Sequence, residues 1–190
     1  MTLHSKVKAL GTACSEDKPD EVEVLLHDAC LQPQHKYTSA KLALYHMNPR
    51  SFRVILTAPE LHQVELLNDI IEDGNSYFLE IYIQSRHFVG FERRHLIAAS
   101  FLKNWDCVRV ILLHIGDAIV DMPVEHVLFQ FVRDGCVDLV RILLPYYKGT
   151  LNNILAIATT NDHVDMTELL ISDPRYKPGV LDFRLVNYCR

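Results

Sequence analysis

The chain has 190 residues, about half of them apolar and under a quarter charged, which suits a packed core and excludes a chain disordered by composition. A net charge of -5 argues against a general nucleic-acid binder, whose affinity comes from neutralising phosphates. Five scattered cysteines (Cys14, Cys30, Cys107, Cys136, Cys189) form no CxxC pair and no zinc-ligand spacing, so reduced thiols in an intracellular protein, cytoplasmic or nuclear, are expected.

Lys6 and Lys8 are followed by no continuous apolar stretch, so no secretory signal is expected. Later apolar runs are too short to cross a bilayer, and no membrane partner is expected. What recurs instead is a five-residue apolar signature. It reads Val22-Glu-Val-Leu-Leu26, Phe52-Arg-Val-Ile-Leu56, Leu79-Glu-Ile-Tyr-Ile83, Val108-Arg-Val-Ile-Leu112, Val140-Arg-Ile-Leu-Leu144 and Met166-Thr-Glu-Leu-Leu170. First residues at 22, 52, 79, 108, 140 and 166 lie about 30 apart, the period of one helix pair in a repeat array.

Upstream of each signature, two slots three residues apart hold Leu10/Ala13, Ala40/Ala43, Leu67/Ile70, Leu96/Ala99, Leu128/Phe131 and Ile154/Ile157. That spacing places both on one side of a first helix, facing its partner. Between the two helices stand turn residues: Lys18-Pro19, Asn48-Pro49, Asp73-Gly74-Asn75, Lys103-Asn104, Asp134-Gly135 and Asn161-Asp162. Asn48 before Pro49 reads as a helix cap and start. The fifth unit is the clearest. A first helix is predicted over 123–133, a turn at Asp134-Gly135, and a second helix over 137–144 that Pro145 halts.

A first helix with Leu and small residues, a Gly/Asn turn and a second helix ending in Leu-Leu together resemble the ankyrin repeat. The resemblance spans roughly residues 10–178. Gly116 sits where ankyrin units close the second helix, and Ser172-Asp-Pro-Arg-Tyr-Lys-Pro178 looks like the connector of a divergent subgroup. No unit carries the family's Thr-Pro-Leu-His opening, and the shortest units leave little room for regular β-hairpins, especially over 57–66. The expected fold is all-α, an α-solenoid of about six stacked helix-turn-helix ankyrin-like repeats in one domain, 1–190. Its units are 7–36, 37–63, 64–92, 93–121, 122–150 and 151–178. The apolar tail 179–190 is expected to cap the array of a monomer, with a truncated seventh unit or a dimer contact as the alternatives.

Ten histidines invite a catalytic or metal reading. His27, Cys30 and His35 are close in sequence, but a helix end and its connector do not set converging ligand geometry; no metal and no cofactor are expected. No nucleophile elbow, phosphate-cradling glycine loop or His-Glu-x-x-His helix is present. Cys14 and Cys107 read as core-filling residues. No enzyme is expected, the alternative being an enzyme or regulatory domain with an unrecognised site.

The resemblance implies recognition of a protein partner by connectors and first helices. In the connector Ser85-Arg-His-Phe-Val-Gly-Phe-Glu-Arg-Arg-His95, arginines and aromatics combine large buried area with directional contacts. Arg86, His87, Phe88, Phe91, Arg93 and Arg94 are the candidate binding residues there. The competing expectation is that Phe88 and Phe91 fold inward while the arginines solvate the rim. Tyr146 and Tyr147 form a second candidate pair, and Trp105 is expected to pack across neighbouring turns.

Overall fold

Each helix pair closes on one residue in the left-handed region: Asp17, Met47, Gly74, Lys103, Gly135 and Asp162, with φ between 51° and 72°. In the computed structural model, which describes residues 2–61, 63–121 and 124–178, these six positions recur about every 30 residues. They separate α1 (Leu3–Ser15) from α2 (Pro19–Leu26), α3 (Pro33–Tyr45) from α4 (Pro49–Ile55), and α5 (Gln63–Glu72) from α6 (Ser76–Ile83). The later pairs are α7 (Arg93–Phe101) with α8 (Trp105–Ile115), α9 (Val124–Arg133) with α10 (Val137–Leu143), and α11 (Leu151–Thr160) with α12 (Val164–Ile171). The described residues are all helix and loop, with no strand.

The chain divides into two compact units, 1–111 and 112–190, at a boundary inside α8. In the first, α1 packs on α2 and α3, α3 on α4 and α5, and α5 on α6 and α7, while α2 meets α4 and α4 meets α6. In the second, α9 packs on α10 and α11, α11 on α12, and α10 on α12. Within each unit, the helices of a hairpin pack on each other in every pair except α7 with α8, and like helices of adjacent hairpins pack side by side from α1 to α7 and from α9 to α12.

Counting from the left-handed residue corrects the sixth unit. Seven and four residues before it stand Leu10/Ala13, Ala40/Ala43, Leu67/Ile70, Leu96/Ala99, Leu128/Phe131 and Leu155/Ala158, all buried. Leu155 and Ala158, and not Ile154 and Ile157, are thus the counterparts in α11. Five residues after it come Val22, Phe52, Leu79, Val108, Val140 and Thr167, again all buried. The last signature therefore begins at Thr167, one residue beyond Met166. Its hydroxyl donates to His163 O at 2.9 Å, so this core position holds a polar side chain without orphaning it.

Other boundaries shift slightly. α10 ends at Leu143, and Pro145 sits in a 3-10 turn, Leu144–Tyr146, which continues the chain where a full stop is predicted. Pro123 and the 179–190 cap lie outside the described residues. Gly116, with φ 53°, follows the last residue of α8, the place for a left-handed helix terminator.

Asn48 is the N-cap of α4, but its side chain makes no capping bond. It reaches back to donate to Cys14 O and Ser15 O, both at 2.8 Å. Asn104 does the same to Ile71 O at 2.7 Å and Glu72 O at 3.2 Å. In the second unit His163 Nε2 donates to Arg133 O at 2.8 Å. Each bond brings a donor to carbonyls at a helix C-terminus, where intrahelical N–H partners run out; Ile71 O accepts the Gly74 N–H as well, at 3.2 Å. Gly74 makes room for one of them, since a Cβ there would stand 2.7 Å from Asn104 Oδ1.

Gly74→Ala should therefore lose about 1–2 kcal/mol from left-handed strain alone. Asn104→Ala should lose about 1–2 kcal/mol through its two bonds. Because the shortened side chain at position 104 no longer obstructs the new methyl, the double variant should lose less than the sum. Urea denaturation of the four proteins measures this coupling, and strict additivity would refute the proposed crowding.

Candidate functional site

The connector 84–92 is built by bonds that turn its polar groups inward. Ser85 Oγ donates to Tyr82 O at 2.7 Å and accepts from His87 N–H at 3.3 Å. The Arg86 guanidinium donates to Thr57 O, and His87 Nε2 lies 2.8 Å from Ala58 O. Residues 86 and 87 thus clamp the preceding connector. His87 is buried, whereas the Arg86 side chain remains exposed around its bond.

Phe88 and Phe91 meet edge-on at 4.9 Å. Phe88 also faces the Tyr82 ring at 6.4 Å, and Phe91 faces His95 at 6.1 Å. Both phenylalanines are half-buried, so they hold the loop as well as line it. Arg93 and Arg94 open α7 and are exposed, Arg94 pairing with Glu92 at 2.9 Å. Val89, 84% exposed at the loop tip, is a surface residue the sequence pattern does not single out.

His95 occupies the third position of α7, where its Nδ1 accepts the Glu92 N–H at 2.9 Å. The proton of the neutral ring is then on Nε2, which is buried and finds no hydrogen-bond partner among the described residues. It borders a cavity of about 20 Å³ lined with Leu67, Tyr82, His87 and Gly90, the volume of a single water molecule. Burial lowers the basicity of His95, helped by the Arg94 charge. Burial likewise lowers that of His87, with Arg86 adding to the effect against the opposing Ala58 hydrogen bond. His35, expected in a connector, plays the same capping part in α3, its Nδ1 accepting the Gln32 N–H at 3.1 Å.

The second unit uses a different arginine similarly. Arg175 donates to Tyr147 O and Leu144 O, both at 2.9 Å, and forms a two-pronged pair with Asp173. Those bonds hold the Asp173 carboxyl below its ordinary range. Tyr147 is buried, with its hydroxyl donating to Thr150 O at 3.3 Å and its ring 6.2 Å from Phe129. Tyr146 is half-buried.

Two of the thiols, Cys14 and Cys107, lie in the core. Burial pushes the Cys14 thiol up to about 12 and the Cys107 thiol up to about 11, so neither supplies a thiolate at neutral pH. Among the described residues, no three His, Cys, Asp or Glu side chains are grouped to hold a metal, and no helix is long and apolar enough to cross a membrane.

No protein-family model, curated protein or solved structure matches the chain.

The two buried histidines set a pH dependence. Their folded-state basicity is depressed, so the unfolded chain takes up protons first as pH falls through about 6.5. Their contribution to stability is complete above that pH and is lost progressively below it. The melting temperature should therefore fall between about pH 7.5 and pH 5.5. His95→Gln keeps a side chain suited to the third helix position and should flatten that slope; an unchanged slope would exclude His95 as a source.

Proposed function

We propose that this chain is a non-catalytic protein-interaction module, an α-solenoid of ankyrin-like repeats that works inside the cell as an adaptor, inhibitor or sequestering factor. The observation that carries this reading is the recurrence of one turn geometry at six positions, with like helices of adjacent hairpins packed side by side from α1 to α7 and from α9 to α12. Such hairpins present preformed edges and loops, so a partner meets them at little ordering cost.

The partner surface in this reading includes the start of α7 and the connector before it. Arg93 and Arg94 supply charge from a helix already fixed in place, and Val89 supplies an exposed apolar tip. Phe88 and Phe91 position that tip through their edge-on contact. On the first helices, Tyr37 donates to Asp69 at 2.6 Å and Lys41 pairs with the same carboxylate at 3.0 Å. That leaves an ordered polar face of the kind protein interfaces use at their rims.

The two roles separate by mutation. Arg93→Glu with Arg94→Glu should cut recovery of the native partner by about tenfold in affinity capture, as interface arginines do, with little change in melting temperature. Phe88→Ala should lower the melting temperature. Undiminished recovery by the charge-reversed protein would remove this surface from the reading, and turnover of a small substrate by the purified chain would overturn the class.

A further inference from the structure

Among the described residues, the most exposed aromatic side chains are not on the connectors. Tyr45 is 80% exposed and Phe101 84% exposed. Each is the last residue of its first helix, α3 and α7, and between them Glu72 ends α5. The corresponding residues of the other first helices are Ser15, Arg133 and Thr160, so the architecture makes no demand for an aromatic ring here. Met47 (60%), Tyr77 (50%) and Leu102 (45%) are exposed on the same turns. Met47 also holds a left-handed conformation that glycine or asparagine would adopt at lower cost.

Side-chain bonds join these turns into one continuous edge. Asn48 donates to Ser15 O, Asn75 Nδ2 lies 2.9 Å from Met47 Sδ, and Asn104 donates to Glu72 O. Asp17 accepts the Ser51 N–H at 2.9 Å. The apolar row is therefore held in place before any ligand arrives. Adjacent first helices are about 8–10 Å apart, which sets Tyr45 and Phe101 about two such steps from each other with Glu72 in the gap.

The charge of this edge selects its partner. Turns 15–21, 45–51, 72–78 and 101–107 hold seven carboxylates against three lysine or arginine side chains. Lys18 is already engaged with Glu16 and Glu21, whereas Glu72 and Asp73 are exposed and make no ion pair among the described residues. Aromatic faces and carboxylates both attract guanidinium and ammonium groups. From the row and its charge we infer that the inter-helix turn edge of unit 1–111 docks an arginine- or lysine-rich segment of another protein, with apolar residues against Tyr45 and Phe101 and a basic residue at Glu72 and Asp73. This inference rests on the reading of the chain as a protein-interaction module and gives it a second surface, at the end of the hairpins away from the connectors.

The test uses the full chain and two synthetic peptides, one alternating arginine with leucine over 12 residues and one alternating glutamate with leucine. Trp105, the single tryptophan, stands four residues beyond Phe101, so its emission reports on this edge. The arginine peptide should change that emission saturably. Tyr45→Ser with Phe101→Ser should weaken it by about tenfold or more, as should Glu72→Lys with Asp73→Lys. Raising salt from about 50 to about 300 mM should weaken it too. Asp165→Lys with Glu168→Lys, an equal charge change on the other unit, should leave binding intact.

Melting temperatures of the edge variants should match the parent, since the rings removed are exposed. Equal binding by the edge variants, or preference for the glutamate peptide, would overturn the inference while leaving partner capture through Arg93 and Arg94 standing. A dimer in sedimentation that dissociates on Tyr45→Ser with Phe101→Ser would assign the edge to a second copy, and would also overturn it.

Discussion

A helix that ends against another helix leaves its last carbonyls without partners, and this chain solves that problem from outside the helix. The residue after each left-handed turn position is Lys18, Asn48, Asn75, Asn104, Cys136 or His163. At 48, 104 and 163 its side chain returns to the final carbonyls of the preceding first helix. One residue thereby closes its own hairpin and fixes how that hairpin lies along its neighbour. The two requirements cannot be met independently. If the left-handed residue changes conformation, the following side chain swings away from the carbonyls it serves.

This coupling accounts for which glycines matter. Gly74 and Gly135 combine a positive φ with close approach, a Cβ meeting Asn104 at 2.7 Å in one case and His163 at 2.9 Å in the other. Asp17, Met47, Lys103 and Asp162 hold the same backbone conformation with side chains present. The turn is thus set by its surroundings and tolerates the strain, in line with tertiary context overriding local preference.

The helix pairs were legible because their buried columns are almost wholly apolar, from Leu10 and Ala13 through Val140 and Leu143. The reading slipped by one residue only where Thr167 replaces an aliphatic side chain and satisfies its own hydroxyl within the helix. The bracing bonds were not legible. Asparagine before proline signals a cap, and nothing local reveals that the Asn48 amide serves a helix more than thirty residues earlier. Connector composition was ambiguous for a similar reason. Arg86 and Arg175 spend donors on backbone carbonyls, whereas Arg93 stands at an exposed helix start, and residue type cannot separate the two uses. A usable signal existed in Ser85 and Asp173, which fold the loop back immediately before the clamping residues.

Tyr45 and Phe101 escaped sequence reading because aromatic residues at helix ends are ordinarily assigned to the core. Position along the hairpin carries the better information. The slots seven and four residues before the turn accept only side chains that fill the seam, and the slot five after it accepts one polar residue that bonds to its own helix. The last residue of each first helix faces no such demand, and six hairpins place Ser15, Tyr45, Glu72, Phe101, Arg133 and Thr160 there. Packing penalises change in the seam by several kcal/mol per lost side chain, at about 2–5 kcal/mol for leucine to alanine. Exposed positions typically shift stability by less than about 0.5 kcal/mol. Residues that recognise a partner therefore accumulate where the fold is indifferent, and the turn edge meets that condition more fully than a connector whose arginine and histidine already hold its neighbour.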